Sequence, residues 1–353
     1  LVAAILQLPD PNILLPELIT LLIAILTSRE FITVVFLPGL VNMLLVVAFL
    51  TWFERKLLAR IQMRVGPLYA GGRIFFGLLQ PIADMLKLFF KEVIFPQKAD
   101  KPLFAGIPLV MVLIAAAPFT VIPFGENWYI ANIDVALPFV FAVSSLFPAL
   151  VLLVAWASNS KYPFLGGLRA LFQQVAYEIP LWVSTLGIVL MTGSLSFFDI
   201  IRAQERIWFV VPQFVGFMVF LTAGLAELER IPFDLPEAEP ELVMGWMTEM
   251  SGAVFLLVFT AVYIKMYAVA ALTTALFLGG WWGPPFLPQP IWFIIKSLIV
   301  ASIMVIIRGT FPRVRVDLIL RLGWTRLLIA ALGNVAITLT LIYLDVPAMW
   351  GMT

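Results

Sequence analysis

At 353 residues the chain is long enough for two or three soluble domains, but its composition excludes them. Hydrophobic residues make up 62% and charged residues 12%, against about 25% charged in a typical soluble domain. With a mean hydropathy of +1.05, there is too little polar surface to coat a water-soluble globule, and the fold class is all-α, a polytopic membrane protein. The chain has no cysteine and no histidine. It therefore lacks thiolate ligands for an iron–sulfur cluster and the usual imidazole ligands of haem, zinc or copper. Any electron or metal chemistry is expected in a partner, with no metal site here. A net charge of +1 gives no reason to expect nucleic acid.

In chain order, residues 1–30 are apolar but interrupted by Pro9, Pro11 and Pro16, and read as an interfacial segment. No basic start or small-residue cleavage site marks them as a signal peptide, and Leu1 in place of Met suggests that the numbering omits the true start. A bilayer core takes roughly 20 apolar residues as a helix. On that scale residues 31–353 form one membrane domain with eight expected spans, at 32–52, 103–123, 136–156, 170–192, 208–226, 251–277, 290–308 and 326–345.

The basic residues sort by side. Seventeen of the 22 Lys and Arg fall in segments 53–102, 157–169, 227–250 and 308–326, which alternate with the remaining loops. Only Arg29, Arg202 and Arg206 lie opposite, while Lys265 and Lys296 fall inside spans. The positive-inside rule puts the rich face in the cytoplasm and both termini outside. The opposite loops, 123–134 and 279–290, are short and aromatic, as an interfacial belt would be.

Four segments on or near the basic face carry the chemistry. After the first span, TWFERKLLARIQMRVGP (51–67) leads into QPIADMLKLFFKE (80–92). There Ile82, Met85, Leu86 and Phe89 repeat at i, i+3, i+4 and i+7, the stripe of an amphipathic helix lying in the interface. Its plain role is anchoring; beside the end of a span it can also wall a lateral opening for a lipid-soluble substrate. The second segment, 225–252, gathers Glu227, Glu229, Asp234, Glu237, Glu239, Glu241 and Glu249 with one base, Arg230. Pro232, Pro236 and Pro240 rule out a regular helix across it. Some acids must crowd, and crowding raises pKa values toward neutrality, where a carboxylate can take up and release protons.

The third is Glu178, eight residues into the fourth expected span and two before Pro180. Holding an acid there costs about 2.5–3.5 kcal/mol on insertion scales, which marks it as a functional candidate for proton transfer beside a merely structural hydrogen bond. Lys265 and Lys296 are the other ionisable residues deep in spans, with snorkelling competing most for Lys296. The fourth, IIRGTFPRVRVDLILRLGW (306–324), is basic as cytoplasmic anchoring demands, and Arg308, nearest the membrane, is placed to pair with the acids of 227–249.

At these segments the sequence resembles the H subunit, the quinone-chamber membrane component, of the energy-converting NADH:quinone oxidoreductases, the respiratory complex I family. The resemblance is carried by ERKLLARIQMRVGP, GLLQPIADMLKLFFKE, AWASNSKYPFLGGLRA, QVAYEIP, ERIPFDLPEAEPELVMGWMTEMSG, FLGGWW and RGTFPRVRVDLILRLGW, in order over residues 50–325. It implies a non-redox subunit of a proton pump in a prokaryotic inner or plasma membrane, with quinone as substrate in a chamber formed with peripheral quinone-head and iron–sulfur subunits. Small and antiporter-like membrane subunits would be the other partners, with membrane lipid around them. Glu54, Arg55, Arg64 and Asp84 would line or support the quinone tunnel. Glu178, Glu227, Arg230, Glu237, Glu239, Glu241, Glu249 and Arg308 would form the charged route toward the pumping subunits. The pattern departs from many relatives at Val262 and Ser145, where acids are common, and at Val316 and Thr325. The competing readings are a stand-alone secondary proton or cation transporter, which usually shows an internal repeat not found here, a passive scaffold, and the same subunit in a ferredoxin- or deazaflavin-linked relative.

Overall fold

The computed structural model describes residues 28–71, 76–236 and 239–344. Nearly all of the expected interfacial segment 1–30 and the position of Glu237 lie outside these residues. Apart from one isolated bridge between Gly125 and Trp128, the regular structure among the described residues is helical. In order the helices are α1 (Arg29–Val35), α2 (Leu40–Ile61), α3 (Gln80–Phe90), α4 (Lys101–Ala116), α5 (Ala136–Ser144), α6 (Leu146–Ala157), α7 (Lys161–Thr192), α8 (Phe197–Arg202), α9 (Phe214–Glu227), α10 (Glu239–Leu242), α11 (Gly252–Phe277), α12 (Gln289–Thr310), α13 (Val316–Arg321) and α14 (Leu328–Tyr343). Among the described residues seven stretches are long and apolar enough to cross a membrane: Phe31–Ile61, Lys101–Thr120, Ala136–Ala157, Lys161–Thr192, Gly252–Phe277, Gln289–Thr310 and Asp317–Tyr343.

The fifth expected span, 208–226, is shorter than the sequence suggests. Its helix, α9, has 14 residues, about 21 Å at 1.5 Å per residue, against a hydrocarbon core of about 30 Å. Residues expected to begin it instead form turns around Gln204. That side chain donates to the carbonyls of Ile200 and Ala275 and accepts from the amides of Phe209 and Gly279. A satisfied side-chain amide thus organises the backbone where Pro212 prevents an earlier helical start. The fourth expected span differs the other way: its helix, α7, starts nine residues earlier than expected, at Lys161 rather than 170, and runs 32 residues through Pro180.

The centre of the bundle is α11. Its sequence, GAVFLLVFTAVYIKMYAVAALTTALF, is apolar on every side, and every residue from Tyr263 to Phe277 is buried. A helix without a polar face belongs inside a bundle. Ala268, Ala270, Ala271 and Ala275 let neighbouring backbones approach, the usual device where lipid supplies no hydrophobic drive. Helix α11 packs on α4, α12, α2 and α3, while α7 packs on α9, α14 and α6. Two lysines are therefore carried into the interior, on α11 and α12.

Lys296 shows how the far end is closed. Its ammonium donates to the carbonyls of Leu278, Gly280 and Trp282 at 2.7, 3.2 and 2.5 Å and lies 4.3 Å from the Trp208 ring centroid. Three protons meet three acceptors, so the lysine stays inside rather than snorkelling to the surface. Lys296→Met leaves those carbonyls without a donor, at about 1–3 kcal/mol for each that water cannot reach. A clear fall in the thermal unfolding midpoint of the purified protein is expected, and an unchanged midpoint would contradict this reading.

Candidate functional site

The expected amphipathic helix is α3, and none of its residues is buried. Ile82, Met85, Leu86 and Phe89 remain about half exposed, presenting their stripe outward. The helix is tied to the end of α2 by an ion pair between Arg55 and Asp84, with Gln80 donating to the other oxygen of Asp84. Beside this corner an open, mostly apolar groove of about 320 Å³ runs between Trp52, Phe53, Lys56, Leu57, Arg60 and Phe76. Lys56 donates to the carbonyls of Pro67 and Phe76, and Trp52 to that of Phe76, which hold the following loop over the groove. Gly77 permits this turn: its φ is +81°, and a Cβ there would meet the Pro67 carbonyl oxygen at 2.3 Å. Arg64 is exposed on the loop.

Glu54 does not face that groove. It is buried on the opposite side of α2 at 2% exposure. Its Oε1 accepts from Arg230 at 2.7 Å and from Arg308, and its Oε2 accepts from the Tyr263 hydroxyl at 2.9 Å. The Arg230 guanidinium also lies over the Tyr263 ring, 4.7 Å from its centroid. One carboxylate thus joins α2, the 228–236 segment, α11 and α12. The sequence put Arg308 with the acids of 227–249; its partner is Glu54, contributed by a helix some 250 residues earlier, a pairing that local sequence cannot reveal.

A second cluster lies on the other side of α11, where Lys265 stands about 200° around the helix from Tyr263. The Lys265 ammonium is 3.1 Å from the Glu227 carboxylate, donates to the Glu227 carbonyl at 3.2 Å, and lies 4.4 Å from the Phe147 ring centroid. Glu227 ends α9, so its carbonyl is one of those a helix terminus leaves without an intrahelical donor; the lysine both caps the helix and pairs with its last acid. Glu178 on α7 lies within electrostatic range of Glu227 and Lys265, and its Oε1 is buried without a hydrogen-bond partner.

Two residues on, Glu229 is buried and accepts from Trp246 Nε1 at 3.0 Å and from Gln174 Nε2. Burial pushes its carboxyl above the ordinary value, against the lowering influence of Trp246, Lys265 and Gln174. Neighbouring Gln173 donates to the carbonyls of Ala226 and Phe233 at 2.7 and 2.6 Å, locking the segment against α7. The close fit also needs Gly166, where a Cβ would come within 2.6 Å of the Trp246 backbone nitrogen.

The outer half of the acidic segment behaves differently. Glu241 pairs with Arg169 at 2.5 Å on the surface, and that guanidinium holds its carboxyl below the usual range. Arg313 donates to the Asp234 carbonyl, and the amide of Val314 to that of Pro232. Glu249 is half-buried, Glu239 begins the short α10, and Glu237 lies outside the described residues. The acids expected to crowd thus divide into a buried pair near α7 and α11 and an outer group, in which Glu241 is neutralised by arginine. Sequence reasoning singled out neither Glu229 within the run nor Gln173, Gln174 and Tyr263. The signal for Gln174 was its place one helical turn before Glu178. Among the described residues no three His, Cys, Asp or Glu side chains gather as a metal site needs.

The family described as NADH dehydrogenase matches residues 33–339. The chain belongs to this family. Among its NADH dehydrogenase relatives, the NADH-quinone oxidoreductase H subunit of Paramagnetospirillum magneticum is 44% identical over 87% of this chain and 91% of its own. That of Anoxybacillus flavithermus is 45% identical over 87% and 93%, and that of Bacillus cytotoxicus 46% identical over 81% and 86%. These matches place the chain as an H-type membrane subunit of NADH-quinone oxidoreductase, an integral membrane protein of an oxidoreductase complex.

Proposed function

We propose that this subunit forms the membrane side of a quinone chamber and relays quinone reduction to proton translocation, with the basic loops on the cytoplasmic face. The observation that carries the reading is the continuity of buried charge. Glu54, Arg230 and Arg308 stand on one side of α11, and Glu227, Lys265, Glu229 and Glu178 on the other, with residues 227–230 serving both. Keeping so many ionisable groups out of water is costly, and in a membrane protein such groups mark ion and proton pathways.

The groove beside Trp52 and Phe53, walled by the α2–α3 corner, suits an isoprenoid tail entering from lipid. The Arg55–Asp84 pair positions α3 there. Adding two electrons to a quinone creates two negative charges and a demand for two protons. Electrons come from an iron–sulfur partner subunit that also helps to form the head site. Arg230 answers the new charge through Glu54, and the disturbance passes along 227–230 to Glu227 and Glu178, then toward antiporter-like partners. Glu237, Glu239, Glu241 and Glu249 form the outer, proton-collecting part of the same segment, and Arg64 supports the chamber mouth.

The test is Glu178→Gln and Glu227→Gln in the intact complex, reconstituted in proteoliposomes. Each is expected to cut coupled quinone reduction by about tenfold to a hundredfold, at or below the usual contribution of a single general acid–base group. Unimpaired quinone reduction and proton translocation in both variants would overturn the relay.

A further inference from the structure

Two small, partly open cavities meet at the Lys265–Glu227 pair. One, of about 10 Å³, is lined by Gln174, Leu228, Glu229, Trp246 and Val262 in addition to the pair and Phe147. The other, of about 20 Å³, lies among α4, α5, α7, α9 and α11; apart from the pair and Phe147, its lining is apolar except for Ser144. Each is near the size that holds a single water. Lys265, Glu227 and Phe147 line both, so these three side chains are the partition between a carboxyl-lined chamber and an apolar one.

We propose that Lys265 is a charge latch: its ammonium, held by Glu227 and the face of Phe147, closes the partition, and its transfer to Glu178 opens it. The inference deepens the relay reading and rests on it.

The charges argue for a movable cation. Among the described residues a single ammonium serves the carboxyls of Glu178 on α7, Glu227 on α9 and Glu229 beyond it, with Asp234 adding a further acid near Glu229. The other residues that α4, α5, α6, the 246 turn and α11 turn toward the cavities are uncharged: Ser144, Phe147, Trp246, Val262 and the apolar lining. Lys265 is bound on one side only. Its contacts are with Glu227 and Phe147, while Glu178, within electrostatic range, presents a buried oxygen with no donor. A lysine ammonium on its four-carbon stem is a compact point charge able to turn between such partners.

The step balances in protons and charge. A proton arriving through the Glu229 chamber converts the Glu227 carboxylate to the acid, and the ion pair loses its anion. The ammonium keeps its three protons and turns to the Glu178 carboxylate. With the cation withdrawn from Phe147, the chambers join and the Glu227 proton can leave on the apolar side. Return of the ammonium to the regenerated carboxylate closes the partition. Binding to one carboxylate at a time makes the pair a two-state element biased by proton occupancy.

The experiment uses the intact complex in proteoliposomes and reads the number of protons moved per quinone reduced, with the passive proton leak measured without substrate. Lys265→Met removes the cation at nearly constant length. It is expected to lower the ratio at least about twofold and to raise the leak, while Lys265→Arg, which keeps the charge, restores part of the ratio. A purely structural lysine would lower the yield of assembled complex and leave the ratio of the assembled fraction unchanged. Phe147→Leu, which keeps an apolar side chain but removes the ring, is the second variant and is expected to raise the leak and lower the ratio less. A parental ratio and leak in assembled Lys265→Met overturn the latch, as does a parental Phe147→Leu should Lys265→Met fail to assemble. If those results appear while Glu178→Gln and Glu227→Gln remain impaired, the relay stands without the latch; if the glutamate variants are also unimpaired, the relay itself has failed.

Discussion

Replacing Glu54 by glutamine is expected to destabilise the protein more than any other single change at the site, by about 3–5 kcal/mol, the usual cost of leaving a buried charge uncompensated. The carboxylate is almost fully enclosed, and it is shared by the guanidinium groups of Arg230 and Arg308. Glutamine keeps the shape but supplies no charge, so two cations face each other across a poorly hydrated space. Arg230 and Arg308 are themselves only 12% and 27% exposed, which limits relief by solvent. Thermal unfolding of the purified complex measures the effect, and the yield of assembled complex should fall with it. The contrast that makes this specific is the triple replacement Glu54→Leu, Arg230→Met and Arg308→Met. Removing a whole buried ionic group is often neutral or better for stability, so the triple variant should unfold later than Glu54→Gln alone. Equal midpoints for Glu54→Gln and the parent would show that the three charges do not compensate one another.

Glu229→Gln is expected to change the dependence of stability on pH. Burial raises the Glu229 carboxyl above its ordinary value, so the folded state holds that proton to higher pH than the unfolded chain. Between the unfolded value of 4.5 and the raised folded value, the folded protein therefore binds more protons, and stability falls as pH rises. Below that window the group contributes no penalty; above it the penalty is complete. The size is about 1.4 kcal/mol for each unit by which the folded value is raised. Glutamine cannot ionise and still offers an oxygen to Trp246 Nε1, so the variant should match the parent below pH 4.5, exceed it increasingly as pH rises toward the raised folded value, and keep a constant margin beyond it. Unfolding midpoints of both proteins across that range provide the check. A difference that stays constant with pH would mean that Glu229 does not carry the proton.

Glu54 and Glu229 also mark where the sequence stops being informative. Glu54 was legible as important but was grouped with Arg55, Arg64 and Asp84, of which only Arg55 adjoins it in the chain. A helix turns about 100° per residue, so adjacent positions face different surroundings. Arg55 reaches Asp84 at the corner, while Glu54 points inward to Arg230, Arg308 and Tyr263. Glu229 was visible as one of seven acids, but nothing in a charge run says which member is buried. That depended on Gln174 and Trp246 arriving from α7 and the 245–247 turn. The division of the acids into a buried set and an outer one, in which Glu241 is paired with arginine, likewise depends on Lys265 and Arg169, both distant in sequence.

What the sequence by itself determined was the helical membrane architecture, the amphipathic α3, the concentration of acids between two spans, and family membership through motifs that survive in order. Each depends on composition or on spacing within one segment, because helix periodicity and the cost of polar groups in lipid act locally. Only the tertiary structure decided which charges meet. Ion pairs form over a few ångströms between side chains on different helices, and their partners are set by how α7, α11 and α12 pack, which no single segment encodes.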